Sequence, residues 1–328
     1  DAEPGDRHLL FFLPERGDPV VVAPALYGEQ LRDTWVEDVR LYGDDEDPTA
    51  LLSAIADELA AERLLLDPRL WAQFVLDVEA AFPDAEVGLA EDVLSTLRAR
   101  KDDAELSALG RAADVADAVT REVRALGADA VGTTERELAA RIERSLADRG
   151  GEGVAFEPVV AAGPNGARPH HGHGDREIAP GDPVVLDFGT RMGGYPSDQT
   201  RTVVFDGDPP EGFEVAFEAV RAAQSAAVDA VEPGVPAAAI DRAAREVVEE
   251  RGLGEAFVHR TGHGVGLDVH EAPYIVAGNE QELQEGMVFS VEPGVYREGE
   301  FGVRIEDLVV VTEDGCERLN DSPRGWRP

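Results

Sequence analysis

The first hundred residues mix short apolar runs with segments of helical spacing. Three apolar runs have the length typical of strands, at residues 8–13, 20–22 and 64–66. Residues 48–61 and 69–82 instead carry apolar side chains at intervals of three and four. Strands that alternate with helices predict a small α/β domain, which we assign to residues 1–99.

From residue 100 onward, two helices are followed by strands, and this order occurs twice. The first half has predicted helices at 103–126 and 133–148 and predicted strands near 156–161 and 183–188. The second half has predicted helices at 213–231 and 236–251 and strands that include 288–291 and 302–311. The repetition predicts an α+β domain over residues 100–328, built from two similar halves with a site between them.

The charge of the chain restricts its partners and its environment. Its 67 acidic and 30 basic residues give a formal net charge of −37, and Lys101 is the only lysine. Such a charge excludes nucleic acid and anionic membranes as partners, because long-range repulsion opposes association. Acidic excess with a single lysine predicts a halophilic host with a salt-rich cytoplasm. The alternative is an ordinary acidic protein with an arginine bias from a GC-rich genome.

Cysteine usage and hydropathy agree with a cytoplasmic location. Cys316 is the only cysteine, so no intrachain disulfide forms, which fits a reducing compartment. No uninterrupted apolar stretch approaches 18 residues, which predicts the absence of a transmembrane helix, and no signal peptide is visible. The chain begins at Asp1 rather than methionine, so we expect its natural start to lie upstream.

Six of the seven histidines fall in two clusters, and acidic residues follow each cluster. The clusters are His170, His171 and His173 before Asp187 and Asp198, and His259, His263 and His270 before Glu292 and Glu306. Imidazoles mixed with carboxylates are the ligands of divalent metals of intermediate softness. A lone histidine is more often structural or merely exposed, and we interpret His8, His171 and His173 in that way.

The segment between Asp187 and Asp198 has the pattern of a β-hairpin. Residues that face each other in an antiparallel hairpin have a constant sum of positions. A turn near Met192 and Gly193 therefore predicts that the two aspartates face each other. Their Cβ atoms would lie about 4.5–5.5 Å apart. Two carboxylates at that distance repel unless a proton or a cation lies between them.

A second hairpin has the same pattern. A turn centred on Gly299 predicts that Glu292 faces Glu306, with Arg304 on the same strand face as Glu306. In so acidic a chain, one such pair also fits a solvated surface. Two acidic hairpins with flanking histidines favour a metal site. Four carboxylates with one or two histidines suit two divalent cations about 3.5–4 Å apart that share a water or hydroxide.

These residues resemble the pita-bread metallopeptidases, in the branch of Xaa-Pro aminopeptidases and prolidases. The matching segments are Pro169-His170, 181–189, 195–202, 262–273, 286–294 and 302–307. They occur in the family's order from about residue 100 to the C-terminus. The resemblance implies a creatinase-like pita-bread catalytic domain. Residues 1–99 are similar to the family's N-terminal domain, but the domain is shortened at its start.

The resemblance implies the ligands of two divalent metal ions per chain. The implied ligands are Asp187, Asp198, His263, Glu292 and Glu306. Asp198 and Glu306 would bridge the two ions, Asp187 would bind one ion, and His263 and Glu292 would bind the other. Manganese is the expected metal, and cobalt, zinc and iron are the alternatives, because carboxylates and imidazoles suit all four.

The resemblance also implies catalytic roles. Glu292 would accept a proton from the attacking water, and Arg304 would hold a metal-binding carboxylate. His170 would contact the substrate, and His259 would lie near the substrate carbonyl. His270 would steady the tetrahedral intermediate and the leaving amine.

The implied function is that of an Xaa-Pro aminopeptidase, a dimeric cytoplasmic enzyme acting on short peptides with proline in the second position. The alternatives are a prolidase restricted to dipeptides, a methionine aminopeptidase and a relative that only binds. Some prolidases carry an arginine directly after His-Glu-x-Pro, where it holds the dipeptide carboxylate. Tyr274 occupies that position here, which favours the aminopeptidase.

Overall fold

The computed structural model describes residues 5–328, and the predicted start of the N-terminal domain at residues 1–4 lies outside them. The residues up to Leu94 form one compact unit, and Ser95–Pro328 form a second. The boundary predicted from the sequence follows residue 99. Residue 99 is the last residue of the helix Glu91–Ala99. The observed division, after Leu94, therefore falls within this helix.

The first unit contains two small sheets. Its strands are β1 (Leu10–Phe12), β2 (Val20–Pro24), β3 (Asp38–Tyr42), β4 (Arg63–Leu66) and β5 (Glu86–Leu89), and its helices are α1 (Gly28–Leu31), α2 (Thr49–Leu59) and α3 (Ala72–Ala81), followed by α4 (Glu91–Ala99). Strand β2 pairs antiparallel with β1 and parallel with β3, and β4 pairs parallel with β5. All five elements predicted here are confirmed. Strands β3 and β5 and helices α1 and α4 were missed; in β3, charged Asp38 and Arg40 interrupt the apolar pattern.

The second unit begins with two capped helices. Its first half comprises α5 (Asp103–Arg124), α6 (Glu135–Asp148), β6 (Val159–Ala162), β7 (Pro183–Phe188), β8 (Arg191–Met192), β9 (Tyr195–Pro196) and β10 (Gln199–Val204). The side chains of Asp102 and Thr134 each accept from backbone N–H groups at the start of a helix. The side chain of the glutamate three residues later accepts from the backbone N–H of the capping residue. These capping boxes define where both helices begin.

The second half repeats the order of two helices followed by strands, as predicted. It comprises α7 (Phe213–Asp229), α8 (Ala237–Glu249), β11 (Gly262–Gly264), β12 (Glu271–Ile275), β13 (Val288–Val291), β14 (Gly294–Arg297), β15 (Phe301–Arg304), β16 (Asp307–Thr312) and β17 (Gly315–Arg318). The sheets run β10-β7-β6 in the first half and β12-β11-β13-β16-β17 in the second. Within residues 5–328, no helix is both long and apolar enough to cross a membrane.

A buried ion pair connects the two halves. Arg201 on β10 is 2% exposed and donates to Asp307 Oδ1 on β16 at 2.6 Å. The same guanidinium donates to the backbone carbonyls of Thr200 and Glu306. Asp307 Oδ2 accepts from Gln224 on α7 at 2.9 Å. The pair therefore holds Glu306, the last acid of the second hairpin, against the first half.

Replacement of Arg201 tests this connection. We expect Arg201→Met to lower the free energy of unfolding by about 3–5 kcal/mol, because Asp307 would keep a buried charge without its main partner. Arg221→Met is the control: Arg221 pairs with Glu218 at the surface of α7, so its loss should cost less than about 1 kcal/mol. Urea unfolding of both variants measures the difference, and equal losses would contradict the structural role.

Candidate metal centre

The first acidic hairpin has a different register from the predicted one. Strands β7 and β10 pair with Asp187 opposite Thr200, and β8 pairs with β9 with Met192 opposite Tyr195. The turn therefore lies at Gly193 and Gly194, one residue later than predicted, and Asp187 does not face Asp198. Both turn glycines have positive φ angles, 58° and 84°, which a tight two-residue hairpin turn of type I′ requires.

The second acidic hairpin has the predicted register. Arg297 pairs with Phe301 around a turn at Gly299, which has a φ of 74°. The same register continues across the sheet, where Val291 lies opposite Asp307. Glu292 and Glu306 lie between the β13–β16 pairing and the β14–β15 pairing. Glu292 follows the paired residue Val291, and Glu306 precedes the paired residue Asp307.

Both hairpins bring their acids into one cluster with two histidines. Among residues 5–328, three groups of side chains have possible ligand atoms within 4.8 Å of one another. The groups are Asp198, His263 and His270; His263, Glu292 and Glu306; and Asp187, Asp198 and Glu306. The structure therefore brings together all five of the implied ligands, and it places His270 beside them.

The orientation of His263 follows from its backbone contacts. Its Nδ1 lies 3.2 Å from the carbonyl oxygen of Gly264, which can only accept, so Nδ1 carries the proton. Nε2 then faces the acids, 3.3 Å from Glu292 Oε1 and 3.6 Å from Asp198 Oδ2. Such a bond from one ring nitrogen to a backbone carbonyl is how proteins orient a metal-binding imidazole.

Arg304 joins the two hairpins. Its guanidinium donates to Asp187 Oδ2 at 2.5 Å, to Thr200 Oγ1 at 3.0 Å and to the phenol oxygen of Tyr296 at 2.8 Å. It also donates to the carbonyl of Pro169, directly before His170. Arg304 is buried, and the acids beside it hold its pKa well above the ordinary value despite that burial. Arg304 thus contacts Asp187, one of the implied metal ligands, on the opposite half.

Two carboxylate oxygens in the cluster lack a protein partner. Among the described residues, Asp187 Oδ1 and Glu306 Oε1 are buried and accept no hydrogen bond. Burial, together with the charges of Glu292 and Asp187, raises the pKa of Glu306 well above its ordinary value. Burial, together with the charges of Glu306 and Asp187, does the same for Asp198. Negative charge concentrated around unsatisfied oxygens is the environment that a divalent cation would stabilise.

Glu292 differs electrostatically from the other acids. Burial raises its pKa, but when the His263 ring is doubly protonated its hydrogen bond and charge, together with the charge of Arg304, outweigh that effect and lower the pKa to about 2. Ser290 donates a further bond to Glu292 Oε1 at 3.2 Å. The donor set of carboxylates and imidazole fits manganese, cobalt, zinc or iron. The residues present therefore fit the pair of metals that the sequence implies.

His259 is held by protein groups at both ring nitrogens. Nδ1 donates to the carbonyl of Arg260 at 2.7 Å, so Nε2 is the acceptor for the Tyr296 hydroxyl at 2.9 Å. Since Tyr296 also accepts from Arg304, a hydrogen-bonded chain runs from Arg304 through Tyr296 to His259. In this arrangement both ring nitrogens of His259 have protein partners, and its implied place near the substrate carbonyl stays a prediction.

The other two implied catalytic histidines are exposed. His270 packs edge-on against His263, with ring centroids 4.0 Å apart. His170 lies on the loop that follows β6. The neighbouring histidines have structural contacts, as predicted: His171 Nε2 lies 2.9 Å from Glu135 Oε2, and His173 Nε2 lies 3.4 Å from Glu157. In the first unit, His8 contacts Asp77 and Phe74.

Glu135 organises the loop that carries His170, and the sequence did not reveal it. Its fully buried carboxylate accepts from the backbone of Ala162 and Gly174 and from the side chains of Asn165 and His171. Burial raises its pKa, but these four donors outweigh burial and leave the pKa below the ordinary value. In sequence, Glu135 looks like one more acidic residue in the first turn of a helix.

Two uncharged residues of the cluster were also missed. Thr200 donates to Glu306 Oε2 at 2.6 Å, and Tyr296 contacts Arg304 and His259. Strand alternation could have identified Thr200, because it lies two residues after Asp198 and so projects to the same side of the chain. No comparable signal marks Tyr296, whose contact with His259 joins two separate segments of the chain.

Comparisons with known proteins extend over nearly the whole chain. Residues 107–313 match the sequence profile of metallopeptidase family M24. A probable dipeptidase PepE of Mycobacterium tuberculosis is 42% identical, over 98% of this chain and 86% of that protein. An Xaa-Pro dipeptidase of Lactobacillus delbrueckii subsp. lactis is 37% identical, over 96% of this chain and 86% of that protein.

Solved structures agree with the sequence comparisons. The crystal structure of a prolidase from Thermococcus sibiricus superposes with a TM-score of 0.95 at 40% identity, over 99% of this chain and 89% of that one. The predicted α+β pita-bread architecture, preceded by a smaller α/β domain, is thereby confirmed.

The role of Glu135 predicts a pH-dependent loss of stability. At about pH 7 we expect Glu135→Gln to lower the free energy of unfolding by about 1.5–3 kcal/mol, since hydrogen bonds to a charged acceptor are lost. The folded-state pKa lies below the unfolded one. The contribution is therefore present above the ordinary glutamate pKa of about 4.3 and disappears as pH falls through the folded-state pKa.

Urea unfolding at stepwise lower pH measures this effect. Glu143→Gln, at an exposed position of the same helix, is the matched control and should leave stability nearly unchanged. A difference between wild type and Glu135→Gln that stays constant on acidification would refute the proposed role of the charge.

Proposed function

Because the chain belongs to metallopeptidase family M24, we propose that it hydrolyses the bond between an N-terminal residue and a following proline, with Xaa-Pro dipeptides as its preferred substrates. The observation that carries the proposal is the convergence of four carboxylates and two histidines around unsatisfied carboxylate oxygens. A hydrolase of this family needs such a site to activate water and to stabilise the charge that develops on the carbonyl oxygen.

The cluster supports a division of the ligands between two cations. Asp198 and Glu306 each occur in two of the three groups, and a carboxylate can bind two cations because it has two oxygens. His263 also occurs twice, but only its Nε2 is available. We therefore assign the bridging role to Asp198 and Glu306. Asp187 would complete one site, and His263 and Glu292 would complete the other.

The side chains around the cluster supply the remaining chemistry. Bound divalent cations would polarise the scissile carbonyl and lower the pKa of the attacking water. Glu292 would take a proton from that water. The proton that Glu292 takes would pass to the proline nitrogen, a secondary amine, as the peptide bond breaks, and His270 would steady the tetrahedral intermediate and the leaving amine. Arg304 would hold Asp187 in place, and His170 would contact the substrate from its exposed loop.

The preference for dipeptides rests on the relatives. The three relatives described above are named probable dipeptidase, Xaa-Pro dipeptidase and prolidase. Tyr274 at the position of the prolidase arginine favours an aminopeptidase acting on longer peptides, and that function is the second candidate. Manganese as the metal, a homodimer, a cytoplasmic location and a halophilic host stay predictions from the sequence.

Metal content and activity should depend together on Glu306. We expect Glu306→Gln to lower bound manganese below two equivalents per chain and to reduce turnover roughly a thousandfold, since it removes a bridging carboxylate. Elemental analysis after reconstitution measures the first effect. Glu298→Gln, in the exposed turn of the same hairpin, should change neither quantity. Full metal content and activity in Glu306→Gln would disprove the ligand assignment.

Substrate length separates the two candidate functions. With the manganese-loaded enzyme, we expect kcat/KM for Ala-Pro to exceed that for Ala-Pro-Ala and for Ala-Ala. Chromatography of the released amino acids measures each rate. Faster cleavage of Ala-Pro-Ala would favour the aminopeptidase. Faster cleavage of Met-Ala-Ala than of every proline peptide would favour methionine aminopeptidase and refute the proposal.

A further inference from the structure

The only lysine of the chain is buried in the second unit. Its side chain, that of Lys101, has no exposed area, whereas every other basic residue apart from histidine is an arginine. The ammonium group donates to Glu271 Oε1 at 2.9 Å and to the carbonyl of Ala99 at 3.2 Å. An ammonium is a compact point charge and a guanidinium is a larger planar group. The enclosed space beside Glu271 therefore selects the lysine in a chain that otherwise uses arginine.

The carboxylate of Glu271 is held from several sides. Its Oε2 accepts from Arg98 at 2.7 Å, and the same nitrogen of Arg98 donates to Asp268 Oδ2 at 2.7 Å. The backbone N–H of Asp268 donates to Glu271 Oε2 at 3.4 Å. A side-chain carbon at Gly266 would lie 2.2 Å from Glu271 Oε1, so the carboxylate rests directly against the backbone there. Glu271 thus ties together the chain on both sides of His270.

The ring of His270 depends on this tied segment for its position. His270 directly precedes Glu271, and its ring packs against that of His263, an implied metal ligand, with centroids 4.0 Å apart. Within residues 5–328, no protein hydrogen bond orients the His270 ring. The preceding loop has a further support, since Arg191 donates to the carbonyl of Leu267 at 3.3 Å. The backbone on either side, rather than a partner of the ring, therefore determines where the imidazole lies.

We propose that Lys101 is a positioning residue, which holds Glu271 and thereby fixes the His270 ring beside the reacting carbonyl. The ammonium acts through the Glu271 carboxylate and the single peptide bond that joins Glu271 to His270. The inference rests on the proposed function, in which His270 steadies the tetrahedral intermediate. Displacement of the ring should therefore slow turnover, while the affinity for substrate and the metal content stay nearly unchanged.

Single and paired replacements separate the position of His270 from the stability of the fold. Lys101→Met leaves the buried Glu271 without one of its cations, so we expect a lower melting temperature. Lys101→Met combined with Glu271→Gln removes both charges, and its melting temperature should return towards that of the wild type. With manganese bound, kcat for Ala-Pro should nevertheless stay roughly tenfold to a hundredfold lower in the paired variant, with KM little changed. Arg100→Met, which removes an exposed positive charge next to Lys101, is the matched control and should keep the wild-type kcat.

Recovery of kcat together with the melting temperature in the paired variant would overturn the inference. A double-mutant cycle then tests whether Lys101 acts through His270. Lys101→Met should lower kcat in the wild type, but by less than about twofold in His270→Ala, because the ring that it positions is absent. An equal fold loss in both backgrounds would also overturn the inference.

The position of the ring can be measured without turnover. In the zinc-loaded protein, the NMR signals of the His270 ring are identified by their absence in His270→Ala. They should shift in Lys101→Met and stay in place in Arg100→Met, and unchanged signals in Lys101→Met would refute the positioning role. Cleavage of Ala-Pro by the wild type would leave the proposed function standing in that case. A wild type that cleaves no Xaa-Pro substrate would refute the proposed function, whereas the NMR comparison would still decide whether Lys101 positions His270.

Discussion

Four carboxylates buried beside one another are the constraint on which the rest of the catalytic unit depends. Their mutual repulsion and burial raise the pKa values of Asp187, Asp198 and Glu306, and within the described residues two of their oxygens have no protein partner. The main positive group of the protein in direct contact with them is Arg304, which binds Asp187. Such a cluster is costly for the folded chain by itself, since each charge is removed from water without a full set of partners. This unfavourable free energy is the strongest physical argument that the site binds divalent cations.

Holding those acids together requires that two halves of the unit be locked in register. Arg201 joins β10 to Asp307 on β16, and the backbone N–H of Glu306 donates to the carbonyl of Thr200. Arg304 makes the equivalent connection at the cluster itself, since it reaches Asp187 across the same boundary. Each connection joins residues more than a hundred positions apart in the chain. The geometry of the cluster is therefore a property of the paired halves, and neither hairpin could produce it by itself.

The surroundings of the cluster divide into fixed and available groups. His259 and Tyr296 are committed to protein partners in a chain of hydrogen bonds, and Glu135 is committed to the loop that precedes the first hairpin. His170 and His270 are exposed, so their rings stay accessible to a substrate. A preorganised site has this division, because rigid groups hold the geometry while available groups contact the substrate.

The sequence by itself determined the main helices and strands, their duplicated order, and the acids and histidines that form the cluster. It also determined the register around Gly299, because the residues that form a turn and its flanking strands lie within a few positions of one another. The register around Gly193 and Gly194 was missed by one residue, since adjacent glycines permit more than one turn. Only the tertiary structure decided that Arg304 reaches Asp187, that Glu135 holds the His170 loop and that Lys101 pairs with Glu271. Periodicity and turn preferences act over a few residues, whereas these contacts depend on how distant segments pack.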